Sequence, residues 1–354
     1  LLDVAESLLM IPDLFHFFFT GIRANEFTDL STSQMYDPTA KTWAYGLVKA
    51  FGLPTNILGT IVQPGTVLGP LRPAIATETG INPAQVVVPA THDTGSAVAA
   101  VPAAAGHGQE TVPSTPRWAY ISSGTWSLMG VEVPAPLLTD AARNFNFTNE
   151  GGVGGTIRLL KNIMGLWLVQ ECRRTWEKQG RSYSYDELTR LAEAAPPFVS
   201  LVDPDDGAFI LPPSMPAALG EFCRRTRQPV PQEPGAVVRC ALESLALRYR
   251  WVMERLEELT GGKLEVIHIV GGGSQNALLC QLAADACDRP VVAGPVEATA
   301  IGNVLVQALG LGVLGSLAEG REVVRRSFPV RTFTPHEPSR WQEPYQRFLK
   351  FLQR

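Results

Sequence analysis

Apolar positions recur at helical spacing from Ala241 to Leu259, where Leu242, Leu245, Tyr249, Val252, Met253, Leu256 and Leu259 fall on one stripe. This is the clearest helix in the chain, and Gly261-Gly262 stops it. Weaker amphipathic patterns predict helices over Leu1 to Leu9, Lys41 to Phe51, Glu297 to Leu309 and a tail marked by Trp341, Tyr345, Phe348 and Phe351. Ile11-Pro12-Asp13 opens an apolar helix over Leu14 to Phe19 that halts at Thr20-Gly21. Thr156 to Leu160 leads into a helix running to about Glu177, which places Asn162, Leu166 and Gln170 on one face, the two amides ~12 Å apart along the axis.

Short apolar runs predict strands at Val86 to Val88, Trp118 to Ile121, Trp126 to Val133, Phe209 to Leu211, Leu264 to Val270 and within Arg289 to Pro295. Asn25 to Tyr36 is a loop by its Thr, Ser and Asp content, and Gly65 to Gly80 holds a turn, a short strand and a short helix. Val101 to Pro116 reads as a solvated connector, in which His107 carries no chemistry. Strands alternating with helices point to an α/β protein, and 354 residues suggest two domains at ~150 residues each.

Composition narrows the function classes. Hydrophobic residues make up 45% of the chain and charged ones 18%, enough for a sizeable core. A net charge of −4 argues against a general nucleic-acid binder. No apolar run is long enough to span a bilayer, and no signal-peptide pattern is present. The five cysteines, Cys172, Cys223, Cys240, Cys280 and Cys287, include no CxxC, which sets zinc aside and suggests a reducing, cytoplasmic setting.

Three stretches carry candidate chemistry. In Val88-Pro89-Ala90-Thr91-His92-Asp93-Thr94-Gly95-Ser96, a strand ends, an acid follows and a helix begins. That order suits a carboxylate at the mouth of a ligand crevice, and equally an ordinary helix N-cap. Ser122-Ser123-Gly124-Thr125 is either a plain hairpin turn or a tip that offers amides and a hydroxyl to an anion. Val270-Gly271-Gly272-Gly273-Ser274-Gln275-Asn276, between a strand and a helix, lets a nucleotide approach the backbone, but lacks both GxGxxG and GK[ST]. The amides of Asn162 and Gln170 form a solvent edge or line a polar ligand. His268 reads as a packed core histidine and Gly302 as a close packing point.

The order of these stretches resembles the actin-like ATPase (ribonuclease H-like) fold. Within it the chain is similar to the FGGY family of carbohydrate kinases. The likeness rests on Ile11-Pro12-Asp13, His92-Asp93-Thr94, Ser122 to Gly130, Thr148-Asn149-Glu150-Gly151-Gly152, Leu160 to Trp167, Val270 to Gly273 and Ala293 to Ala298. It implies a two-lobe sugar kinase with an incomplete N-terminal lobe: residues 1–95 as the remainder of the sugar-binding lobe, residues 96–354 as the nucleotide-binding lobe.

The resemblance also implies roles. Asp93 is the catalytic base, flanked by sugar contacts at His92 and Thr94. Gly124, Thr125, Asn162, Gln170, Gly272, Gly273 and Asn276 lie on the nucleotide side. The reaction implied is L-rhamnulose plus ATP, with Mg²⁺, giving L-rhamnulose 1-phosphate and ADP in a cytoplasmic monomer without nucleic-acid or membrane partners. No residue here is implied as a metal ligand. A further implication is a Cys223–Cys240 disulfide, against the alternative of two reduced thiols. The first phosphate hairpin, much of the sugar pocket and a Mg²⁺-associated acid are expected upstream of Leu1, so residues 1–354 alone are expected to be inactive. The competing readings are a kinase for another ketose or polyol, a non-catalytic actin-like nucleotide-binding module and, more distantly, a Rossmann oxidoreductase. Retention of Asp93 argues against the pure binder.

Overall fold

The computed structural model describes residues 2–81, 84–104 and 113–352, so His107 and most of the 101–116 connector lie outside the described residues. Two compact units emerge, neither continuous in sequence: Leu1–Ser114 with Glu132–Leu160 and Glu297–Phe328, and Thr115–Val131 with Lys161–Val296 and Pro329–Arg354.

Seven strands are labelled β1 (Trp118–Ser123), β2 (Trp126–Val133), β3 (Thr148–Gly151), β4 (Ile157–Met164), β5 (Val266–Val270), β6 (Val291–Ala293) and β7 (Arg331–Phe333); β3 and the flanking ends of β2 and β4 belong to the first unit and the rest to the second. Within the second unit the order is β7-β6-β5-β1-β2-β4. β5 is parallel to both β1 and β6, while β1 with β2 and β6 with β7 are antiparallel. Central β5 is buried along Ile267–Val270, as a strand between two parallel neighbours must be.

Six helices matter here: α1 (Ile11–Thr20), α2 (Asp93–Ala99), α3 (Trp167–Lys178), α4 (Pro234–Thr260), α5 (Ala277–Cys287) and α6 (Ala298–Gly310). The apolar stripe of α4 is almost wholly buried, and Gly261 closes it in the left-handed conformation at φ 68°. Gly21 ends α1 in the same way at φ 79°. In the first unit α6 packs on α2, and Ala90, Ala99, Val153 and Val306 form a buried cluster beneath them.

Four sequence expectations fail. Asn25 to Tyr36, expected to be a loop, carries a two-residue strand at Asn25–Glu26 and a short helix at Phe27–Leu30 that the Glu26 side chain caps. Only a 3₁₀ turn, Leu2–Val4, occupies the start expected to be helical. Phe209 to Leu211 is not a strand: Gly207–Phe209 is a 3₁₀ turn started by Asp206, whose Oδ1 accepts the Ala208 N–H at 3.0 Å. Most consequentially, Asn162 lies on a strand. β4 extends through Ile157–Met164 because its first residues pair antiparallel with β3, Ile157 against Gly151 through Leu160 against Thr148. The helix begins only at Trp167, so Asn162 and Gln170 share no helical face.

Candidate active site

In the first unit the chain leaves the strand Gln85–Val87, crosses Thr91 and enters α2 at Asp93. The N-cap is His92 rather than Asp93: its Nδ1 accepts the Thr94 N–H at 3.2 Å. Asp93 is the first helical residue, with an exposed carboxylate whose Oδ1 accepts from Thr94 N–H at 2.6 Å and from Thr94 Oγ1 at 3.3 Å. The rest of α2 is buried. Asp93 is thus the one solvent-facing side chain at the end of a packed helix, where the peptide dipoles favour negative charge. Thr94, itself buried, orients the carboxylate.

Two buried acids fix this corner. Glu26 Oε1 accepts from Thr28 N–H at 2.8 Å. Its Oε2 accepts from Thr28 Oγ1 at 2.5 Å, Asp29 N–H at 3.2 Å, Thr91 N–H at 3.1 Å and Thr91 Oγ1 at 2.6 Å. A single carboxylate therefore ties the 26–29 turn to the residue before His92. Burial raises the Glu26 pKa. Behind it Asp13 accepts from Glu26 N–H at 3.0 Å and Met10 N–H at 3.3 Å, and burial pushes its carboxyl up to about 7. The Thr28 hydroxyl also accepts the His92 N–H at 3.1 Å.

The Glu150-Gly151 end of β3, with Gly152, completes the first-unit cluster. A Cβ on Gly151 would stand 2.7 Å from the Phe27 ring, and one on Gly152 2.2 Å from Thr156 Oγ1, so both glycines are required by packing. Glu150 Oε2 lies 3.1 Å from Arg158 Nη2 and 3.8 Å from His92 Nε2.

In the second unit the β1–β2 turn, Gly124-Thr125, meets the start of α3. The carbonyls of Gly124 and Thr125 accept the N–H groups of Leu166 and Trp167 at 3.1 and 3.0 Å. These are amides that a helix start leaves without internal partners, and no side chain caps them. Gly165 allows the approach, since a Cβ there would stand 2.6 Å from the carbonyl carbon of Trp126. Thr125 Oγ1 donates to Gln170 Oε1 at 3.1 Å, bringing two expected nucleotide-side residues together. Asn162 is exposed on β4.

The glycine loop also sits in this unit. Gly271 (φ 85°) and Gly273 are pressed against Ser123, where added Cβ atoms would fall 2.8 Å from its carbonyl oxygen and 2.0 Å from its hydroxyl. Gly272 faces open space. Asn276 caps α5, its Oδ1 accepting the Leu279 N–H at 2.9 Å. Of the expected loop residues, Gly272 is the one whose backbone is open to a ligand.

Residues 2–100 match the N-terminal domain and residues 119–311 the C-terminal domain of the FGGY family of carbohydrate kinases. The chain belongs to the FGGY carbohydrate kinases. It is 45% identical over 347 residues to a rhamnulokinase of Bacteroides thetaiotaomicron, covering 98% of this chain and 69% of that one. Identity to a rhamnulokinase of Pectobacterium atrosepticum is 43%, covering 99% and 67%. The fold is shared with solved kinases: a ligand-bound xylulose kinase from Lactobacillus acidophilus has a TM-score of 0.75 at 14% identity, over 99% of this chain and 68% of that one. A Plasmodium falciparum glycerol kinase with ADP scores 0.71 at 15%, over 97% and 66%.

The disulfide implied by the family likeness is absent. Cys223 and Cys240 are both free and buried. The interaction between the two thiols pushes their pKa values apart, that of Cys223 down and that of Cys240 up. Sequence reading also missed Asp13, Glu26, Glu150 and Arg158 as a set. Its one usable signal was acidic residues embedded among apolar and small ones, in Asn25-Glu26-Phe27 and Glu150-Gly151-Gly152.

Proposed function

We propose that this FGGY kinase transfers the γ-phosphoryl group of ATP to the C-1 hydroxyl of L-rhamnulose, releasing L-rhamnulose 1-phosphate and ADP. The observation that carries the chemistry is the exposed Asp93 carboxylate at the start of the otherwise buried α2. Identity above 40% to two rhamnulokinases across nearly the whole chain supports the choice of sugar.

Asp93 is the base. Thr94 holds Oδ1, which leaves Oδ2 to accept the hydroxyl proton as the sugar oxygen bonds to phosphorus and the bond to the ADP oxygen breaks. His92 and Thr94 flank the sugar. Gly272 gives the nucleotide its open backbone approach, and Gly124, Thr125, Gln170 and Asn162 serve its phosphate side, with Gly273 and Asn276 shaping the loop. Residues 1–95 form the sugar-binding portion and 96–354 the nucleotide-binding portion. Most of the catalytic effect comes from positioning and charge stabilisation rather than covalent participation.

Among the described residues no group of three or more His, Cys, Asp or Glu side chains could hold a metal ion. Mg²⁺ would arrive with the nucleotide as MgATP and neutralise phosphate charge. We place the enzyme in the cytoplasm, a reading that five free cysteines support, and take it as a monomer.

The test is Asp93→Asn, expressed from the complete reading frame. ATP binding should stay within about twofold, while turnover falls by ~10²–10⁴. Turnover within tenfold of the parent would remove Asp93 as the base. A panel of L-rhamnulose, xylulose, gluconate and glycerol tests the sugar, and equal or better turnover of another member would overturn L-rhamnulose.

A further inference from the structure

One buried ion pair in the first unit has no part in the chemistry above. Arg158 is fully buried and Glu150 nearly so, and they are cross-strand partners on β4 and β3. Arg158 Nε donates to the Gly151 carbonyl at 2.8 Å, and Nη2 lies 3.1 Å from Glu150 Oε2. Glu150 Oε1 accepts from Thr148 Oγ1 at 3.0 Å. The pair is thus held by its own hairpin. Burying two charges is unfavourable unless each is compensated, which gives their location meaning.

What they face is His92. Its Nδ1 is the acceptor that caps α2, so that nitrogen carries no proton. A neutral ring then bears its hydrogen on Nε2, the nitrogen turned towards Glu150 Oε2 at 3.8 Å. That gap exceeds a hydrogen bond, so the carboxylate orients the Nε2–H without consuming it.

We infer that the buried Arg158–Glu150 pair is a positioning device that holds His92 neutral with its proton on Nε2, so that the ring caps α2 with one nitrogen and offers a donor to a ligand hydroxyl with the other. The ligand half of this inference rests on the sugar-kinase reading above.

The charges around the ring explain why both members are needed. Glu150, Asp93 and Asp29 all favour the imidazolium, whereas burial and the Arg158 guanidinium oppose it, and the balance lowers the His92 pKa. Without Arg158 burial alone would oppose the three carboxylates that face the ring. An imidazolium carries a hydrogen on Nδ1 and cannot accept the Thr94 N–H. Protonation would therefore leave the Thr94 N–H to Asp93 Oδ1 alone, linking the charge of the ring to the placement of the neighbouring acid.

The experiment is ¹⁵N NMR of the histidine rings in this chain, with His92→Asn assigning the signal. In the parent, His92 should be the neutral Nε2–H form at pH 7 and titrate below the ordinary ~6.5. Arg158→Gln should raise the midpoint and Glu150→Gln should lower it. Arg158→Lys, which keeps the cation and guards against misfolding, should leave it near the parent value. Damage to the fold alone would return both neutral variants towards the ordinary value. Shifts in the same direction, unmoved midpoints, or an Nδ1–H form in the parent would overturn the proposal. In the protein expressed from the complete reading frame, added L-rhamnulose should move the Nε2 resonance. If the midpoints behave as stated and the sugar leaves Nε2 unmoved, the positioning stands and the placement of sugar at His92 falls.

Discussion

Gly302 of α6 rests against the carbonyl of Ser96 in α2: a Cβ at Gly302 would stand 1.7 Å from the Ser96 oxygen. The contact is backbone to backbone, and Thr299, one turn earlier on α6, donates to the Asp93 carbonyl at 3.3 Å. The helix bearing the proposed base is therefore set in place by the absence of a side chain.

Gly302→Ala should push α2 away from α6. Overpacking of this kind costs ~1–3 kcal/mol, and here the obstacle is backbone that cannot rotate aside. Thermal or denaturant unfolding should show the loss. A variant as stable as the parent would mean that the two helices separate freely.

Glu26→Ala removes the acceptor shared by three N–H groups and two hydroxyls. Each buried donor left without a partner costs ~1–3 kcal/mol, so a loss of ~3 kcal/mol or more is expected even if some donors find water. Denaturant unfolding measures it directly. A loss under ~1 kcal/mol would show that Glu26 is not the tie between the two segments.

Asp13 should give stability a pH dependence of definite sign. Its carboxyl titrates near about 7 in the folded chain and near ~3.9 when unfolded, so between those values the folded state holds more protons. Its contribution is present in full below the unfolded value and is lost as pH rises through about 7. Asp13→Asn removes the titration. The stability of the parent relative to this variant should therefore fall from pH 5 to 7 and level off by pH 8. A difference that stays constant over that range would contradict the buried, proton-retaining acid.

Neighbouring glycines in the 271–273 loop should behave in opposite ways. At Gly272 an added Cβ meets nothing within 4 Å, so Gly272→Val should fold with unchanged stability and bind ATP at least ~10-fold more weakly, a difference of ~1.4 kcal/mol. At Gly273 an added Cβ would collide with Ser123 Oγ at 2.0 Å, so Gly273→Ala should lose stability first. Calorimetric ATP titration beside thermal unfolding separates the two. Unchanged ATP affinity in Gly272→Val would remove the loop from the nucleotide site.

Much of this architecture was legible from local pattern. The α4 stripe, the β1–β2 hairpin, the β5–glycine loop–α5 unit and the strand-to-helix step at Asp93 each carry their signal within a few residues. The errors share a cause in long-range contacts. Locally, Leu160 to Met164 is compatible with a helix; it is a strand because β4 pairs with β3 as far as Leu160 and has β2 on its other edge. The start of α3 is capped by carbonyls about 40 residues earlier, at Gly124 and Thr125, so no local capping residue marks it. His92 took the cap assigned to Asp93 because its Nδ1 can serve as the acceptor that Asp usually supplies. Glu26 lay in a stretch whose Thr, Ser and Asp content suggested a plain loop, and its acceptors are satisfied partly by Thr91, 65 positions away.

The hairpin that caps α3 also restricts how this region can vary by insertion and deletion. With two tip carbonyls hooked to two consecutive helix amides, lengthening the turn by one residue would put the pair out of step with Leu166 and Trp167. Gly165 would offer no compensating slack, because its backbone already lies against Trp126 and Ser127. The turn and the helix start must therefore change length together or not at all. Homologous chains should show few insertions or deletions beside Thr125.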